Sequence, residues 1–232
     1  MTGRYFALIP AAGHSTRMRG AKLLLPLNGQ PLILHTIAAW QRSRADRVVI
    51  VMRPDDQALR DLVEKSKAQS PRSKVLEVPT LDVGPWTLDS AQDIELVIPE
   101  ISPPDMKASL QAALRHIEGQ HSPTPDDAFL VAPADMPRLS PAIVDRLISH
   151  HAASSERKIL APTLGGRRGH PVLFPWHFAS EVHALPAGEG LNAIVRRHLP
   201  MLLPCEDLIG ESEYPFADID TPEDYERITN GR

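Results

Sequence analysis

The sequence is poor in cysteine, in aromatic residues and in long hydrophobic runs. Cys205 is the only cysteine among 232 residues, which excludes an intrachain disulfide and a zinc site built from cysteines. The longest apolar runs fall short of the roughly 18 residues that a membrane-spanning helix needs, and the first residues lack the pattern of a secretory signal. We therefore expect a cytoplasmic protein without a membrane partner.

The sequence also lacks an excess of positive charge. Its 25 Lys and Arg residues stand against 29 Asp and Glu residues, a formal net charge of -4. Nucleic-acid binding usually needs a broad basic surface, so nucleic acid is not expected as a partner. Apolar residues make up 42% of the chain and charged residues 23%, which are ordinary globular values. We expect one domain that spans residues 1–232.

Apolar runs alternate with helical patterns in the first third of the chain. The runs at 5–9 and 47–52 predict strands buried on both faces, while 32–40 and 55–69 predict helices. This alternation predicts an α/β fold, a single Rossmann-like three-layer domain with a mostly parallel sheet. Pro, Asp and Ser interrupt residues 70–104, where we predict one strand within a surface insertion.

The stretch LIPAAGHSTRMRGAK, residues 8–22, predicts a strand that breaks into a phosphate-binding loop. Its small residues let backbone N–H groups approach a ligand closely, its hydroxyls add donors, and Arg17 and Lys22 supply two cations that can neutralise a polyphosphate. The spacing fits neither the Walker loop nor the dinucleotide fingerprint, and an ordinary turn with solvated basic residues is the alternative. The candidate residues are Ala11, Ala12, Gly13, Ser15, Thr16, Arg17 and Lys22.

Two further stretches carry carboxylates. In AFLVAPADMP, residues 128–137, we predict a buried strand that ends at Asp135, at the edge where open α/β sheets hold their ligands. A carboxylate there suits Mg²⁺ bound to a triphosphate, although Asp135 capping a turn is the alternative. In FADIDTPEDY, residues 216–225, we predict a strand edge carrying Asp218 and Asp220, followed by a helix that Thr221 caps.

The segment GRRGHPVLF predicts a turn and a short strand that can approach an anionic ligand. Arg167 and Arg168 can pair with such an anion, and Gly169 and His170 let the segment come close. His170 has a plainer interpretation as a turn residue. Further upstream, DMKASLQAALRH at 105–116 predicts a helix with Met106, Leu110, Ala113 and Leu114 on one side.

Together these motifs resemble the MobA-like nucleotidyltransferases, whose loop signature is L-x-A-G-x-S-x-R-M-G-x-x-K. Pro10 and Arg19 depart from that signature. Later segments resemble the family's D-M-P metal motif, its D-x-D-T-P-E-D ending and the R-G-H-P-V-L-F hairpin of molybdenum cofactor cytidylyltransferases. The matching loop residues are Leu8, Ala11 or Ala12, Gly13, Ser15, Arg17, Met18 and Lys22.

The resemblance implies a fold of the nucleotide-diphospho-sugar transferase type and the transfer of a nucleoside monophosphate to a phosphorylated acceptor, with molybdopterin favoured. It implies Mg²⁺, or Mn²⁺ in its place, held by Asp135 and by Asp220 or Asp218. CTP is favoured because the loop has a second Ala beside Gly13. It implies catalytic roles for Arg17 and Lys22, nucleotide binding by Ser109, and acceptor binding by Arg168, Gly169, His170 and Pro171.

Two alternatives remain open from the sequence. A sugar phosphate could replace the pterin, because Asp105, Glu189 and Asn192 depart from the family on the acceptor side. A carrier that binds nucleotide or pterin without transfer is the second alternative, and Arg19 in the loop favours it. A molybdoenzyme or maturation protein is the macromolecular partner that the resemblance implies.

Overall fold

The structure is a computed structural model that describes residues 3–14, 18, 20–68, 93–209 and 215–229. These residues form ten strands and seven α-helices. The strands are β1 Tyr5–Pro10, β2 Pro26–Leu27, β3 Gln30–Pro31, β4 Arg47–Val51, β5 Asp93–Val97, β6 Ala128–Val131, β7 Leu160–Leu164, β8 Arg167–Arg168, β9 Val172–Pro175 and β10 Met201–Pro204. The helices are α1 Leu32–Gln41, α2 Gln57–Ala68, α3 Met106–His121, α4 Pro141–Ala153, α5 Ala179–His183, α6 Leu191–His198 and α7 Pro222–Thr229.

Eight of the strands form one mixed sheet in the order β10-β7-β9-β6-β1-β4-β5, with β8 paired to β7. The pairs β1 with β4, β1 with β6, β4 with β5 and β7 with β10 are parallel, whereas β9 runs antiparallel to both β6 and β7. The strands β2 and β3 form a separate hairpin whose turn residues Asn28 and Gly29 have φ of 50° and 82°. Positive φ at both positions explains the Asn-Gly pair.

Helices cover both faces of the sheet and give three layers. Because successive strand side chains point to opposite faces, Ala7 and Ile9 of β1 pack on one side and Phe6 and Leu8 on the other. The first side is covered by α1, α2 and α4, and the second by α3, α5 and α6. The β1 strand is therefore fully apolar, as expected for a strand with no solvent-facing side.

The predicted α/β fold with a mostly parallel sheet is confirmed. The strand predicted within 70–104 is β5, and the rest of the predicted insertion up to residue 92 lies outside the described residues. Helix α3 extends to His121, beyond the predicted end at residue 116. Of the four apolar residues predicted on one side of α3, Leu110, Ala113 and Leu114 are buried. Met106 is 51% exposed, because it opens α3 at the sheet edge, where a cavity borders it.

A second prediction was wrong at the end of the chain. No strand forms at 216–220 in the described residues; this segment is irregular and joins the core by one backbone bond, from Ile219 N to Asp135 O at 3.2 Å. The helix after it begins as predicted, since Asp224 N donates to Thr221 Oγ1 at 3.2 Å and Asp224 Oδ2 accepts from Thr221 N at 3.0 Å.

Candidate nucleotide and cation site

The carboxyl ends of three neighbouring parallel strands meet at one edge of the sheet. Ala11 and Ala12 follow β1 there, Met52 follows β4, and Asp135 lies shortly after β6. The loop after β1 is fastened to its neighbour because Ala11 N donates to Val51 O at 2.8 Å. The parallel pairing therefore brings the predicted loop and the predicted carboxylate to the same place.

Lys22 reaches this edge from a short 3-10 turn, Lys22–Leu24, at the far end of the loop. Its ammonium donates to Asp135 Oδ2 and, at 3.2 Å, to Asp220 Oδ1. Only 10% of the Lys22 side chain is exposed. The two carboxylates outweigh the burial of the ammonium, which by itself lowers the pKa of Lys22, so the net pKa is raised and the side chain stays charged.

Asp135 is held in place from two sides. Thr36 of α1, itself fully buried, donates its hydroxyl to the carbonyl of Ala134 at 3.0 Å. On the other side, Ile219 N donates to the Asp135 carbonyl. The backbone that carries the Asp135 carboxylate is thus held by a helix packed under the sheet and by the irregular segment at 216–220.

One oxygen of Asp135 has no partner among the described residues. Oδ2 accepts from Lys22, but the buried Oδ1 makes no hydrogen bond. Burial raises the pKa of this carboxyl, although Lys22 opposes the rise. An unsatisfied buried carboxylate oxygen costs free energy, and a hard divalent cation would relieve that cost. The donor set therefore fits Mg²⁺ or Mn²⁺.

The carboxylates supply only part of a cation's coordination. In the part of the chain that the structure describes, no cluster of three or more His, Cys, Asp or Glu residues could hold a metal ion. Asp135 and Asp220 would share the ion with phosphate oxygens and water, which is how Mg²⁺ usually binds beside nucleotides. Asp218, the alternative ligand, is exposed but close enough to raise the pKa of Asp135 by its charge.

A cavity of about 430 Å³, which we call the nucleotide cavity, opens beside Lys22, Asp135 and Asp220. The loop residues Ala11, Ala12 and Gly13 form one wall, and the start of α3 forms the opposite one. The α3 wall includes Ser109, a predicted nucleotide-binding residue whose hydroxyl donates to the carbonyl of Asp105 at 3.2 Å. Sequence reasoning assigned no role to six further lining residues, most of which lack a polar side chain: His14, Leu23, Pro103, Pro104, Pro133 and Ala134.

Three of the predicted loop residues, Ser15, Thr16 and Arg17, lie outside the described residues, as does Arg19. The roles assigned to them stay predictions from the sequence.

A second cavity, of about 360 Å³, adjoins the first and shares Met106 and Pro133 with it. Its walls come from α3, from β9 and from residues 188–196. Of the predicted acceptor residues, His170 lines it, with Nδ1 at 3.4 Å from Val131 O, and burial lowers the pKa of His170. Arg168 is exposed on β8 outside the lining.

The other two predicted acceptor residues are buried. Pro171 packs inside, and Gly169 lies directly against Phe216: a Cβ added to Gly169 would meet that ring at 2.2 Å. Gly169 therefore serves the packing of the 216–220 segment. Residues 188–196 carry most of the second cavity's polar groups. Glu189 and Asn192, which depart from the family's pattern, were the sequence signal that could have identified this wall of the cavity.

Comparison with known proteins gives a consistent picture. Residues 7–201 match the model of the MobA-like NTP transferase domain family. The chain is 29% identical over 230 residues to a probable molybdenum cofactor guanylyltransferase of Thermococcus gammatolerans, covering 95% of this chain and 97% of that protein. It is 35% identical over 148 residues to a 2-C-methyl-D-erythritol 4-phosphate cytidylyltransferase of Ralstonia nicotianae, covering 62% of this chain and only 49% of that protein.

Among solved structures, Rv0371c of Mycobacterium tuberculosis matches with a TM-score of 0.70 and 20% identity over 99% of each chain. A structure of the same protein in complex with manganese matches with a TM-score of 0.66 and 21% identity over 98% of each chain. At this identity the likeness concerns the fold. Among the described residues, none of the helices is long and apolar enough to span a membrane.

Proposed function

The chain belongs to the family of MobA-like NTP transferase domains, and we propose that it transfers a nucleoside monophosphate from CTP to a phosphorylated acceptor, with release of pyrophosphate. The observation that carries this proposal is the convergence of Lys22, Asp135 and Asp220 on the cavity beside the Ala11–Gly13 loop. The preferred acceptor is the molybdopterin cofactor.

The reaction asks the protein mainly for positioning and for compensation of negative charge. A phosphate oxygen of the acceptor attacks the α-phosphorus, the bond to the bridging oxygen breaks, and pyrophosphate leaves with that bond's electron pair. The attacking phosphate is already ionised, so no general base is needed. The loop amides and Arg17 hold the β- and γ-phosphates, and Lys22 compensates the charge that develops on the leaving group.

Asp135 and Asp220 hold a divalent cation together with the nucleotide. When bound, Mg²⁺ or Mn²⁺ supplies positive charge to the phosphate oxygens and orients them. The buried, unsatisfied Oδ1 of Asp135 supports this role, and the manganese complex of Rv0371c shows that a protein of this fold takes such an ion.

The preference for CTP rests on the methyl group of Ala12. Ala12 is 4% exposed and lines the nucleotide cavity, where its methyl group narrows the space beside a base. GTP is the alternative, because the Thermococcus relative is by name a guanylyltransferase. We expect Ala12→Gly to shift the ratio of kcat/KM values for CTP and GTP towards GTP. An unchanged ratio would show that another residue reads the base.

A second acceptor class deserves the same assay. The Ralstonia relative is named for a phosphorylated alcohol acceptor, and the second cavity here carries Glu189 and Asn192 where the resemblance leads us to expect other residues. A sugar phosphate or phosphorylated polyol would therefore change the acceptor and leave the nucleotide half as proposed.

The deciding experiment measures pyrophosphate release with Mg²⁺, each of the four nucleoside triphosphates, and either molybdenum-loaded pterin or a panel of sugar and polyol phosphates. We expect release with CTP and the pterin. Release only with a sugar or polyol phosphate would replace the acceptor. Nucleotide binding without release for every pair would favour the carrier, and reverting Arg19 to Gly would then be the next variant.

A further inference from the structure

The ammonium of Lys22 lies between the two carboxylates that the proposed function assigns to a divalent cation. It donates to Asp135 Oδ2 and to Asp220 Oδ1, so one ammonium joins the two carboxylates. The Lys22 and Asp135 side chains are only 10% and 13% exposed, so water screens this contact poorly. The Lys22 ammonium therefore provides the positive charge that these carboxylates need.

One position cannot hold both cations. Mg²⁺ binds carboxylate oxygens at about 2.1 Å, and an ammonium that donates to the same oxygens would lie within a few ångströms of the ion. Two positive charges at that separation repel each other strongly in a partly buried site. Because Oδ1 and Oδ2 belong to one carboxylate, an ion that binds the unpartnered Asp135 Oδ1 and also reaches Asp220 would still lie within a few ångströms of the ammonium. Binding of the ion to both carboxylates therefore requires the Lys22 ammonium to leave.

We propose that Lys22 occupies the divalent-cation position in the nucleotide-free protein and moves to the nucleotide phosphates when the cation enters. This inference rests on the proposed function, which provides the phosphates as the second partner of Lys22. The cation alone then binds weakly, because it must displace an ion pair and leave an ammonium without a partner. Cation and nucleotide bind cooperatively, and the coupling is reciprocal.

The first test titrates Mn²⁺ alone into nucleotide-free protein and follows free Mn²⁺ by electron paramagnetic resonance. Lys22→Met keeps most of the side-chain length and removes the charge, and we expect it to bind Mn²⁺ at least ~10-fold more tightly than the wild type. Asp135→Asn in the same background should abolish the gain. A folded Lys22→Met protein with unchanged or weaker Mn²⁺ binding would overturn the proposal.

Lys158→Met is the matched control. Lys158 also pairs with a carboxylate, Glu156 at 2.6 Å, and its removal changes the net charge by the same amount. It precedes β7 at the opposite edge of the sheet and is 53% exposed. Its Mn²⁺ affinity should equal that of the wild type; a gain as large as that of Lys22→Met would mean that net charge alone explains the effect.

A second test uses the wild type and does not depend on the folding of a variant. Acetylation with an N-hydroxysuccinimide ester, read by mass spectrometry, reports how accessible each lysine is. Saturating Mn²⁺ should increase labelling of Lys22 relative to Lys158, and constant labelling with Mn²⁺ bound would contradict the exchange. Both tests omit nucleotide and acceptor, so a failure of the transfer assay would remain distinguishable from a failure of this proposal.

Discussion

The two adjoining cavities at the carboxyl edge of the sheet hold their charges in different ways. In the nucleotide cavity, Lys22 and Asp135 are largely buried and paired with each other. Together with Asp220 they form an ion group whose three members come from separate chain segments. In the second cavity, Glu189 and Arg196 are exposed and come from a single loop and helix. Met106 and Pro133 border both cavities.

This difference matches the chemistry that the proposed function assigns to each cavity. A triphosphate with its cation is the same in every nucleotide, so a preorganised, buried set of charges suits it. Acceptors vary, and exposed residues on one loop and helix can change without disturbing the sheet. The named relatives differ in this respect, since one name refers to molybdenum cofactor and the other to a phosphorylated polyol.

Removal of a buried charge in the nucleotide cavity should have the largest effect. We expect Lys22→Ala and Asp135→Ala each to lower kcat/KM at least ~100-fold, because the first removes a positive charge beside the reacting phosphates and the second removes a ligand of the proposed cation. Initial rates of pyrophosphate release measure this. Lys158→Ala should retain full activity. Near-normal turnover in both site variants would discredit the assignment of the ion group.

A methyl group at Gly169 should affect both cavities through packing. Its Cβ would meet the Phe216 ring at 2.2 Å, and Phe216 begins the segment that carries Asp220. We expect Gly169→Ala to destabilise the fold by about 1–3 kcal/mol and to lower activity about tenfold. Urea unfolding and the transfer assay measure the two effects.

Gly119→Ala is the control for that variant. Gly119 lies inside α3 and a Cβ there meets nothing within 4 Å, so it should stabilise the protein by up to about 1 kcal/mol. If Gly169→Ala were equally harmless, the contact with Phe216 would not position the segment at 216–220.

Removal of a charge in the second cavity should have a smaller and more selective effect. We expect Arg196→Ala to raise KM for the phosphorylated acceptor about tenfold, with KM for the nucleotide unchanged, because only the acceptor loses a charged contact. Arg47→Ala is the matched control, since Arg47 pairs with Asp93 and neither residue lines either cavity. Equal increases in KM for the acceptor and for the nucleotide would mean that Arg196 also contributes to nucleotide binding.

The pH dependence of stability should show the smallest effect. Burial lowers the pKa of His170 below its usual 6.5, so the unfolded chain binds a proton that the folded chain does not. The free energy of unfolding therefore falls as the pH drops through 6.5. We expect a shallower fall between pH 7 and 5 in His170→Gln, measured by urea unfolding. An identical slope would mean that His170 is protonated equally in both states.

Much of this molecule follows from local sequence patterns. The apolar runs predicted β1 and β4, the Asn28-Gly29 pair is typical of the hairpin turn that it forms, and Thr221 predicted the start of α7. Each of these features depends on neighbouring residues alone: burial on both faces, a positive φ, or a hydroxyl beside free N–H groups. The irregular course of 216–220 was missed because it depends on distant partners, Gly169 and Asp135.

The sequence by itself determined the family, the order of the motifs and the choice of Lys22, Asp135 and Asp220 as residues of interest. The tertiary structure alone decided that Lys22 pairs with both carboxylates and that Asp135 Oδ1 is buried without a partner among the described residues. It also decided which of the predicted acceptor residues lines the second cavity, namely His170. The physical reason is separation along the chain. Lys22 and Asp220 are 198 residues apart, and only the parallel pairing of β1 with β6 and the anchoring of Ile219 bring their side chains together.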